Sequence, residues 1–183
     1  MERIMIMGPP GAGKSTLAQN LSKVLGIEAL HLDTEFWAAG WNEAPKDQFK
    51  KAQEEFLKKE KWIIDGNYRR WLGEKRLEKA DTIIHLDFST WNCLYGVIKR
   101  RIIYHGKTRP DLAEGCPEKI DWHFLKFTWN YNRNSTPGIK EAIAGQKGKK
   151  VFVLKNRWEV DNFVEEVRKS KKENREVEWN ESS

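Results

Sequence analysis

The segment at residues 8–16, which reads GPPGAGKST, constrains the fold of this chain more strongly than any other. It satisfies the pattern GxxxxGK[ST] and follows the near-continuously apolar run RIMIM at residues 3–7. The apolar residues that come next recur at helical spacing, so a helix is predicted from about Gly13 to Leu25. A buried strand, a glycine-rich turn and a helix in this order predict a loop whose main-chain N–H groups and helix N-terminus bind phosphate.

The side chains of this phosphate-binding loop (P-loop, residues 8–16) predict ATP and Mg²⁺ as its ligands. Lys14 is a flexible cation suited to the β- and γ-phosphates, Ser15 offers a hydroxyl to Mg²⁺, and Thr16 can donate to a further phosphate oxygen. A GTPase is disfavoured because the sequence lacks an NKxD base-reading motif. The predicted nucleotide-binding residues of the loop are Gly8, Pro9, Pro10, Gly11, Ala12, Gly13, Lys14, Ser15 and Thr16.

Short apolar runs alternate with helical patterns along the rest of the chain, which predicts an α/β fold around a parallel sheet. After the first strand at 3–7, further strands are predicted at 28–33, 61–65, 81–87 and 150–154. A parallel sheet of this kind is covered by helices on both faces, which makes a three-layer α/β/α arrangement.

Amphipathic helices are predicted between these strands and after the last one, with their apolar stripes facing the core. The stripes are Phe49, Ala52, Phe56 and Leu57; Trp91, Leu94, Tyr95, Ile98 and Ile102; Ile120, Phe124, Phe127 and Tyr131; and Val160, Phe163, Val164 and Val167. His31 and His85 fall within strands and are predicted to be hydrogen-bonded core residues.

Composition indicates one globular domain, predicted at residues 1–169, with a charged flexible tail at 170–183. The net charge of +6 suits nucleotides, phosphorylated metabolites or nucleic acid, although solubility explains it equally well. Cysteines occur only at two positions, and no apolar stretch approaches the ~20 residues that span a bilayer. We therefore expect a cytoplasmic protein without a membrane partner, while its oligomeric state cannot be read from the sequence.

Asp33, Asp65 and Asp87 each end a predicted strand at the carboxyl edge of the sheet, where the P-loop also lies. Carboxylates at this edge can hold Mg²⁺-bound water or orient an acceptor hydroxyl, although each alone could instead cap a helix. The predicted metal-binding residues are Ser15, Asp65 and Asp87, and Asp33 is assigned to the acceptor. Which of the three aspartates organises Mg²⁺ stays open.

Several segments together resemble a known family. They are GPPGAGKST, HLDTEFWAAGW at 31–41, WIIDGNYRRW at 62–71, DTIIHLD at 81–87, KRR at 99–101 and RPDLAEGC at 109–116. With these segments the chain resembles the DNA topology modulation (FlaR-related) proteins, a branch of the adenylate-kinase-like P-loop kinases, over roughly residues 2–160.

The resemblance implies an adenylate/shikimate-kinase-like P-loop fold with a five-stranded parallel sheet. It also implies an acceptor-binding insertion at residues 34–60 and a lid loop at residues 104–118. In the wider kinase group a DGFPR-like segment follows the third strand, and here Asn67 and Tyr68 replace its Phe-Pro. That departure weakens the case for a nucleoside monophosphate as the acceptor.

The resemblance also implies roles for individual residues. Lys14, Asp65, Arg101 and Arg109 are the predicted catalytic residues; Arg69 and Arg133 are assigned to the acceptor, and Arg157 to the nucleotide. For Arg100, a role beside the lid and a solvated surface charge are equally compatible with the sequence. Trp37 and Trp41 either stack on the acceptor or seal the insertion onto the core. Cys116, His105 and His123 match no zinc signature, so Cys116 is interpreted as structural.

Three functions are compatible with these residues. The first is an ATP-dependent kinase that moves the γ-phosphoryl group to a small acceptor of unknown identity. The second is an ATP-binding regulator or ATPase associated with DNA topology, although no DNA-binding motif is present in the sequence. The third is a nucleotide sensor without turnover. We rank them in that order.

Overall fold

A five-stranded parallel sheet forms the centre of the computed structural model, which describes residues 1–107, 109 and 111–181 and the side chains as far as residue 173. The strands are β1 (Arg3–Met7), β2 (Ala29–His31), β3 (Trp37–Ala38), β4 (Asn42–Glu43), β5 (Trp62–Asp65), β6 (Thr82–Leu86) and β7 (Lys150–Leu154). The large sheet has the order β2-β5-β1-β6-β7, and β3 and β4 form a separate antiparallel hairpin.

Within the described part of the chain, eight α-helices accompany these strands. They are α1 (Lys14–Leu25), α2 (Leu32–Phe36), α3 (Lys46–Phe56), α4 (Gly73–Lys79), α5 (Thr90–Ile103), α6 (Trp122–Asn134), α7 (Thr136–Ala144) and α8 (Arg157–Glu181). A 3₁₀ turn at Ala39–Trp41 connects the two strands of the hairpin. The predicted three-layer α/β/α fold is confirmed.

The alternation of side chains along β1 divides the core into two halves. Ile4 and Ile6 lie in a cluster with residues of α1 and α8, whereas Met5 and Met7 lie in a cluster with residues of α3, α4, α6 and α7. Both faces of the strand are fully buried. This explains why the sequence of β1 is apolar without interruption.

Element ends differ from the prediction at three places. The second strand ends at His31, so Asp33 lies in the first turn of α2 and not at a strand end. The helix predicted to carry the stripe from Phe49 to Leu57 ends at Phe56, so Leu57 is its C-cap. The predicted tail continues α8 as far as Glu181, and Lys171 Nζ donates to the Val24 carbonyl (2.7 Å) at the end of α1. Residues 182–183 lie outside the described residues.

The prediction that the apolar stripe of α5 is buried is wrong. Trp91, Tyr95, Ile98 and Ile102 are 70%, 68%, 50% and 72% exposed, and Phe127 on α6 is also exposed. The buried residues of α5 are Cys93 and Val97, because small side chains let this helix approach the P-loop closely. The stripes of α3 and α8 are buried as predicted, apart from the half-buried Ala52.

Arg76 on α4 is fully buried and organises the segment that follows β5. Its guanidinium donates to the carbonyls of Trp71 (2.8 Å) and Asn67 (2.7 Å) and to the side-chain oxygen of Gln53. Burial lowers the pKa of Arg76 to about 10. Since all of these acceptors are neutral oxygens, the charge is stabilised by dipoles.

We expect Arg76→Ala to lower the free energy of unfolding by about 2–4 kcal/mol, because it leaves buried carbonyl groups without donors and opens a cavity. Lys75→Ala is the matched control, since Lys75 makes an exposed pair with Glu54 and its loss should cost less than about 1 kcal/mol. Urea denaturation measures both variants. Equal effects would show that Arg76 is not an organising residue.

Candidate active site

The P-loop connects β1 to α1, and its glycines are required by its conformation. Gly8, Gly11 and Gly13 all have positive φ angles (148°, 75° and 87°), which side chains rarely adopt. A Cβ atom at Gly8 would also lie 2.7 Å from the carbonyl oxygen of Leu86. The loop is therefore closely enclosed by its neighbours.

Helix α5 contacts the P-loop through a glycine of its own, Gly96. A Cβ atom on Gly96 would overlap the carbonyl oxygen of Gly11, and one on Gly11 would overlap the carbonyl oxygen of Cys93. The two backbones therefore touch without intervening side chains. On the other side, the guanidinium of Arg157 lies next to Gly13 and over the ring of Phe88 (5.6 Å), which places this predicted nucleotide-binding residue at the loop.

Asn67 is a site residue that the sequence reasoning did not assign. Its amide nitrogen donates to the Gly8 carbonyl (2.8 Å) and its amide oxygen accepts from the Gly8 N–H (3.1 Å). This pair of hydrogen bonds attaches the start of the P-loop to the segment after β5. The residue that departs from the DGFPR pattern thus holds the loop in place.

Lys14 lies among the charges that the sequence predicted to meet at this edge. Its Nζ donates to the Pro9 carbonyl (3.1 Å). Desolvation lowers the pKa of Lys14 and the nearby Arg100 lowers it further, whereas Asp33 and Asp65 act in the opposite direction. The structure therefore brings Lys14, Asp33 and Asp65 together, and it adds Arg100 to them.

Asp65 is paired with His31, which was predicted to be a core residue. Nδ1 of His31 and Oδ1 of Asp65 are 3.0 Å apart, and the Asp65 side chain is almost fully buried. Desolvation lowers the pKa of His31, but the hydrogen bond with Asp65 and the charges of Asp65, Asp111 and Asp33 raise it by more, so the net shift is upward. His31 is therefore part of the candidate site.

Asp33 accepts a hydrogen bond from the hydroxyl of Tyr68 (2.7 Å). Burial and the charge of Asp33 raise the pKa of Tyr68, so the phenol remains a neutral donor. The Tyr68 ring packs against Phe36 (4.7 Å between centroids) and Phe49 (5.2 Å), and this packing holds the donor in place. Tyr68, the second residue that departs from the DGFPR pattern, thus orients Asp33, which the sequence analysis assigned to the acceptor.

The lid contains a buried network of ion pairs centred on Glu118, whose carboxylate contacts Arg100 Nε (2.9 Å) and Arg109 Nε (2.8 Å). Arg109 also pairs with Asp111 (3.0 Å). Arg101, predicted to be catalytic, instead contacts His105 at the end of α5. The structure therefore brings Arg100 and Arg109 together and places Arg101 outside the network.

Hydrogen bonds join the described part of the lid to the insertion at residues 34–60. The Gly40 N–H donates to the Gly115 carbonyl (2.8 Å), and the Trp41 indole N–H donates to the Pro117 carbonyl (3.0 Å). The Cys116 thiol donates to the Ala38 carbonyl (3.1 Å), which gives this buried cysteine a structural contact. With its indole used in this way, Trp41 is better suited to sealing the site than to stacking on an acceptor. Trp37 packs between Phe36 and Trp41.

One predicted metal residue, Asp87, has another partner, and two predicted acceptor residues, Arg69 and Arg133, are exposed. Asp87 pairs with Lys140 Nζ of α7 (2.8 Å), so its carboxylate is less suited to a metal than the sequence suggested. Arg69 is exposed and lies against Gly138 of the same helix. Arg133 is exposed in the last turn of α6.

His85 is buried under α7, but it is not a hydrogen-bonded core histidine. Neither of its ring nitrogens has a partner among the described residues. Burial lowers the pKa of His85, while the charge of Asp87 acts in the opposite direction. Its pattern in the sequence is the same as that of His31, so only the folded structure distinguishes the two.

The donor groups beside Lys14 suit Mg²⁺ bound together with a phosphate ligand. No group of three or more His, Cys, Asp or Glu side chains is placed to hold a metal ion in the part of the chain that the structure describes. Mg²⁺ does not require such a cage, because waters and phosphate oxygens usually complete its octahedron around one or two protein oxygens. The hydroxyl of Ser15 and the carboxylate of Asp65 fit that role.

Comparison with known families decides the broad assignment. The profile of the family described as AAA domain matches residues 4–101, which is more than half of the chain. The chain belongs to the AAA domain family. The matched region contains the P-loop, both aspartates near Lys14 and helix α5 as far as Arg101.

Solved structures similar to this AAA domain protein include several that are described as kinases. Shikimate kinase from Acinetobacter baumannii in complex with shikimate has a TM-score of 0.57 at 14% identity, covering 95% of this chain and 94% of that one. Shikimate kinase from Bacteroides thetaiotaomicron has a TM-score of 0.54 at 18% identity, with 93% and 98% covered. A putative kinase from Chloroflexus aurantiacus J-10-fl has a TM-score of 0.53 at 16% identity, with 91% and 96% covered.

These likenesses show a P-loop kinase-like fold. The search of curated protein sequences finds no match to this AAA domain protein. Among the described residues, the structure has no helix with the length and apolar character required to cross a membrane.

We expect Gly96→Ala to weaken nucleotide binding by at least about tenfold, because the added methyl group must push α5 away from the carbonyl of Gly11. Helix propensity alone predicts the opposite, a stabilisation of about 0.5–1 kcal/mol. Gly145→Ala is the matched control: Gly145 has a helical φ of −71° and room for a Cβ, so nucleotide affinity should not change. Titration calorimetry with ATP distinguishes the two, and unchanged affinity in Gly96→Ala contradicts the close contact.

The stabilisation from the His31–Asp65 pair should decrease as pH rises. The folded protein raises the pKa of His31, so the pair contributes fully below the unfolded pKa of about 6.5 and is lost as pH passes the folded value. We expect His31→Gln to cost about 1 kcal/mol at about pH 5.5 and less at about pH 8.5, measured by urea denaturation. His123→Gln replaces an exposed imidazole as a control. A cost that is the same at both pH values would rule out the charged pair.

Proposed function

We propose that this protein transfers the γ-phosphoryl group of ATP to a hydroxyl group of a small molecule, with Mg²⁺ as cofactor. The observation that carries the proposal is the meeting of Lys14, Asp33 and Asp65 beside a glycine-rich phosphate loop under a lid that contains arginines. Phosphoryl transfer needs positioning and positive charge around the transferred group, and these residues supply both.

The nucleotide is bound by Gly8–Thr16 and Arg157. The main-chain N–H groups and the N-terminus of α1 face the phosphates, and Lys14 reaches the β- and γ-phosphates. To do so it exchanges its hydrogen bond to the Pro9 carbonyl for phosphate oxygens. Ser15 and Asp65 would hold Mg²⁺, which would supply positive charge to the phosphate oxygens.

Asp33 is the proposed contact for the acceptor hydroxyl. One of its carboxylate oxygens accepts the Tyr68 hydroxyl, and its other oxygen has no hydrogen-bond partner among the described residues. That second oxygen is suited to orient the acceptor hydroxyl and to accept its proton as the phosphoryl group arrives. Arg69 and Arg133, both exposed, are proposed to bind an anionic group of the acceptor.

Arg100 and Arg109 are proposed to stabilise the charge of the transferred phosphoryl group. Arg100 and Arg109 share Glu118, so each can exchange one carboxylate contact for an oxygen of the transferred phosphoryl group. The hydrogen bonds that Gly40 and Trp41 donate to lid carbonyls hold the site closed, which limits the access of water and hence the hydrolysis of ATP.

A regulatory role in DNA topology remains the alternative that the family resemblance suggests. It predicts DNA binding that weakens steeply with salt, because Lys and Arg side chains displace counterions from phosphates. Arg109 of the lid is buried and paired with Asp111 and Glu118, so it does not contribute to a basic surface. We therefore rank the kinase first, and a sensor without turnover third.

The test is acceptor-dependent ADP formation with nucleosides, nucleoside monophosphates, sugars and cyclic hydroxy acids. In the presence of the active acceptor, Asp33→Asn should lower kcat by about 10²-fold or more and leave ATP affinity within about twofold. Lys14→Ala should remove both ATP binding and turnover, and the exposed Lys23→Ala on α1 is its matched control. ATP binding without ADP formation for every acceptor class would favour the sensor.

A further inference from the structure

Helix α5 presents an exposed apolar stripe on the side that faces away from the P-loop. Trp91, Tyr95, Ile98 and Ile102 are spaced by four, three and four residues, so they lie on one face of the helix. Each of them is at least half exposed. Core packing does not account for this stripe, since the opposite face of α5 is the buried one.

Helix α6 continues the apolar surface. Trp129 contacts Trp91 edge-on with 5.2 Å between ring centroids, and Arg100 in the last turn of α5 lies over Phe124 in the first turn of α6. The two helices therefore run antiparallel. Trp122 is seven residues before Trp129 and shares its face. We call Trp91, Tyr95, Ile98, Ile102, Trp122 and Trp129 the aromatic face.

The aromatic face is too large for an ordinary monomer surface. Each aromatic side chain presents about 150–250 Å² when free, so the four aromatic residues at their observed exposures leave on the order of 500 Å² accessible, to which Ile98 and Ile102 add. Monomers rarely expose an apolar patch of more than a few hundred Å². A standard protein interface buries about 800 Å² on each partner, which matches this area.

We propose that the aromatic face is the contact between two copies of this chain in a two-fold symmetric dimer. A two-fold contact places the same patch on both partners, and a pair of antiparallel helices can pack against its copy as a four-helix layer. The six residues of the face are uncharged, and the exposed Lys126, which lies between Trp122 and Trp129 on α6, has a long stem that can carry its charge to the rim of an apolar contact. Tryptophan and tyrosine are also the residues most enriched at the centre of such contacts.

The dimer would stabilise the position of α5, the helix that packs against the candidate site. The inner face of α5 carries Gly96 against Gly11 of the P-loop, and Arg100 of the same helix pairs with Glu118 of the lid. Burying the outer face would therefore fix the helix on which both contacts depend. The proposal does not require kinase activity, and its test is independent of the acceptor.

Sedimentation velocity measures the dimer directly. Between about 1 and about 100 μM, a range that covers micromolar dissociation constants, we expect the mass to rise from 21.5 kDa to twice that value. Each chain carries a net charge of +6, so raising NaCl from about 0.1 to about 1 M should tighten the dimer by screening repulsion. A contact with nucleic acid would weaken over the same range.

Tyr95→Glu and Ile98→Glu should each raise the dissociation constant by about 30-fold or more, because each places a charge in the apolar contact. Phe127→Glu is the matched control, since Phe127 is an equally exposed aromatic residue of α6 about 200° around the helix from Trp129. It should leave the dimer unchanged. Circular dichroism checks that all three variants remain folded.

Three results would overturn the proposal. One is a 21.5 kDa species at every concentration and salt. Another is a dimer that survives both glutamate substitutions in folded protein. The third is a monomer that binds anionic vesicles or single-stranded DNA through the aromatic face, detected as a Trp91-dependent change in fluorescence.

Discussion

The enclosure of the P-loop backbone is the constraint on which the rest of the site depends. Asn67 holds the main chain of Gly8 with two hydrogen bonds, Gly96 lets α5 touch Gly11, and a guanidinium from the first turn of α8 lies against Gly13. Three segments that are distant in the sequence thus fix one short turn. A loop held in this way can keep its N–H groups directed at a phosphate without reorganising on binding.

The charges of the site are compensated in pairs around this loop. Asp65 is paired with His31, Arg100 and Arg109 share the buried carboxylate of Glu118, and the charges of Asp33 and Asp65 act on Lys14 to raise its pKa against the effect of desolvation. Buried charges require such partners because an uncompensated charge costs several kcal/mol. Binding of a polyphosphate would therefore exchange one set of ionic partners for another, and the lid could sense the nucleotide through that exchange.

Much of the framework could be predicted from the sequence alone, because the information is local. The P-loop motif and the period of the apolar residues define β1 and α1, and the uninterrupted apolar runs define the buried strands of a parallel sheet. Since the carboxyl ends of parallel strands meet at one edge, the approach of Asp65 to Lys14 also followed from the pattern. Asp33 reached the same place from the first turn of α2, two residues beyond the end of β2.

Tertiary structure decided which side chains use that framework. The same apolar period that buries α8 leaves the stripe of α5 exposed, because close contact with the P-loop requires the small residues of α5 to face inward. His31 and His85 look alike in the sequence, but only His31 meets an aspartate. The sequence by itself determined the fold and the phosphate loop, since both are encoded in contiguous residues. The choice of lid arginine, the partners of the aspartates and the exposed face depend on contacts between distant segments, which only packing in three dimensions determines.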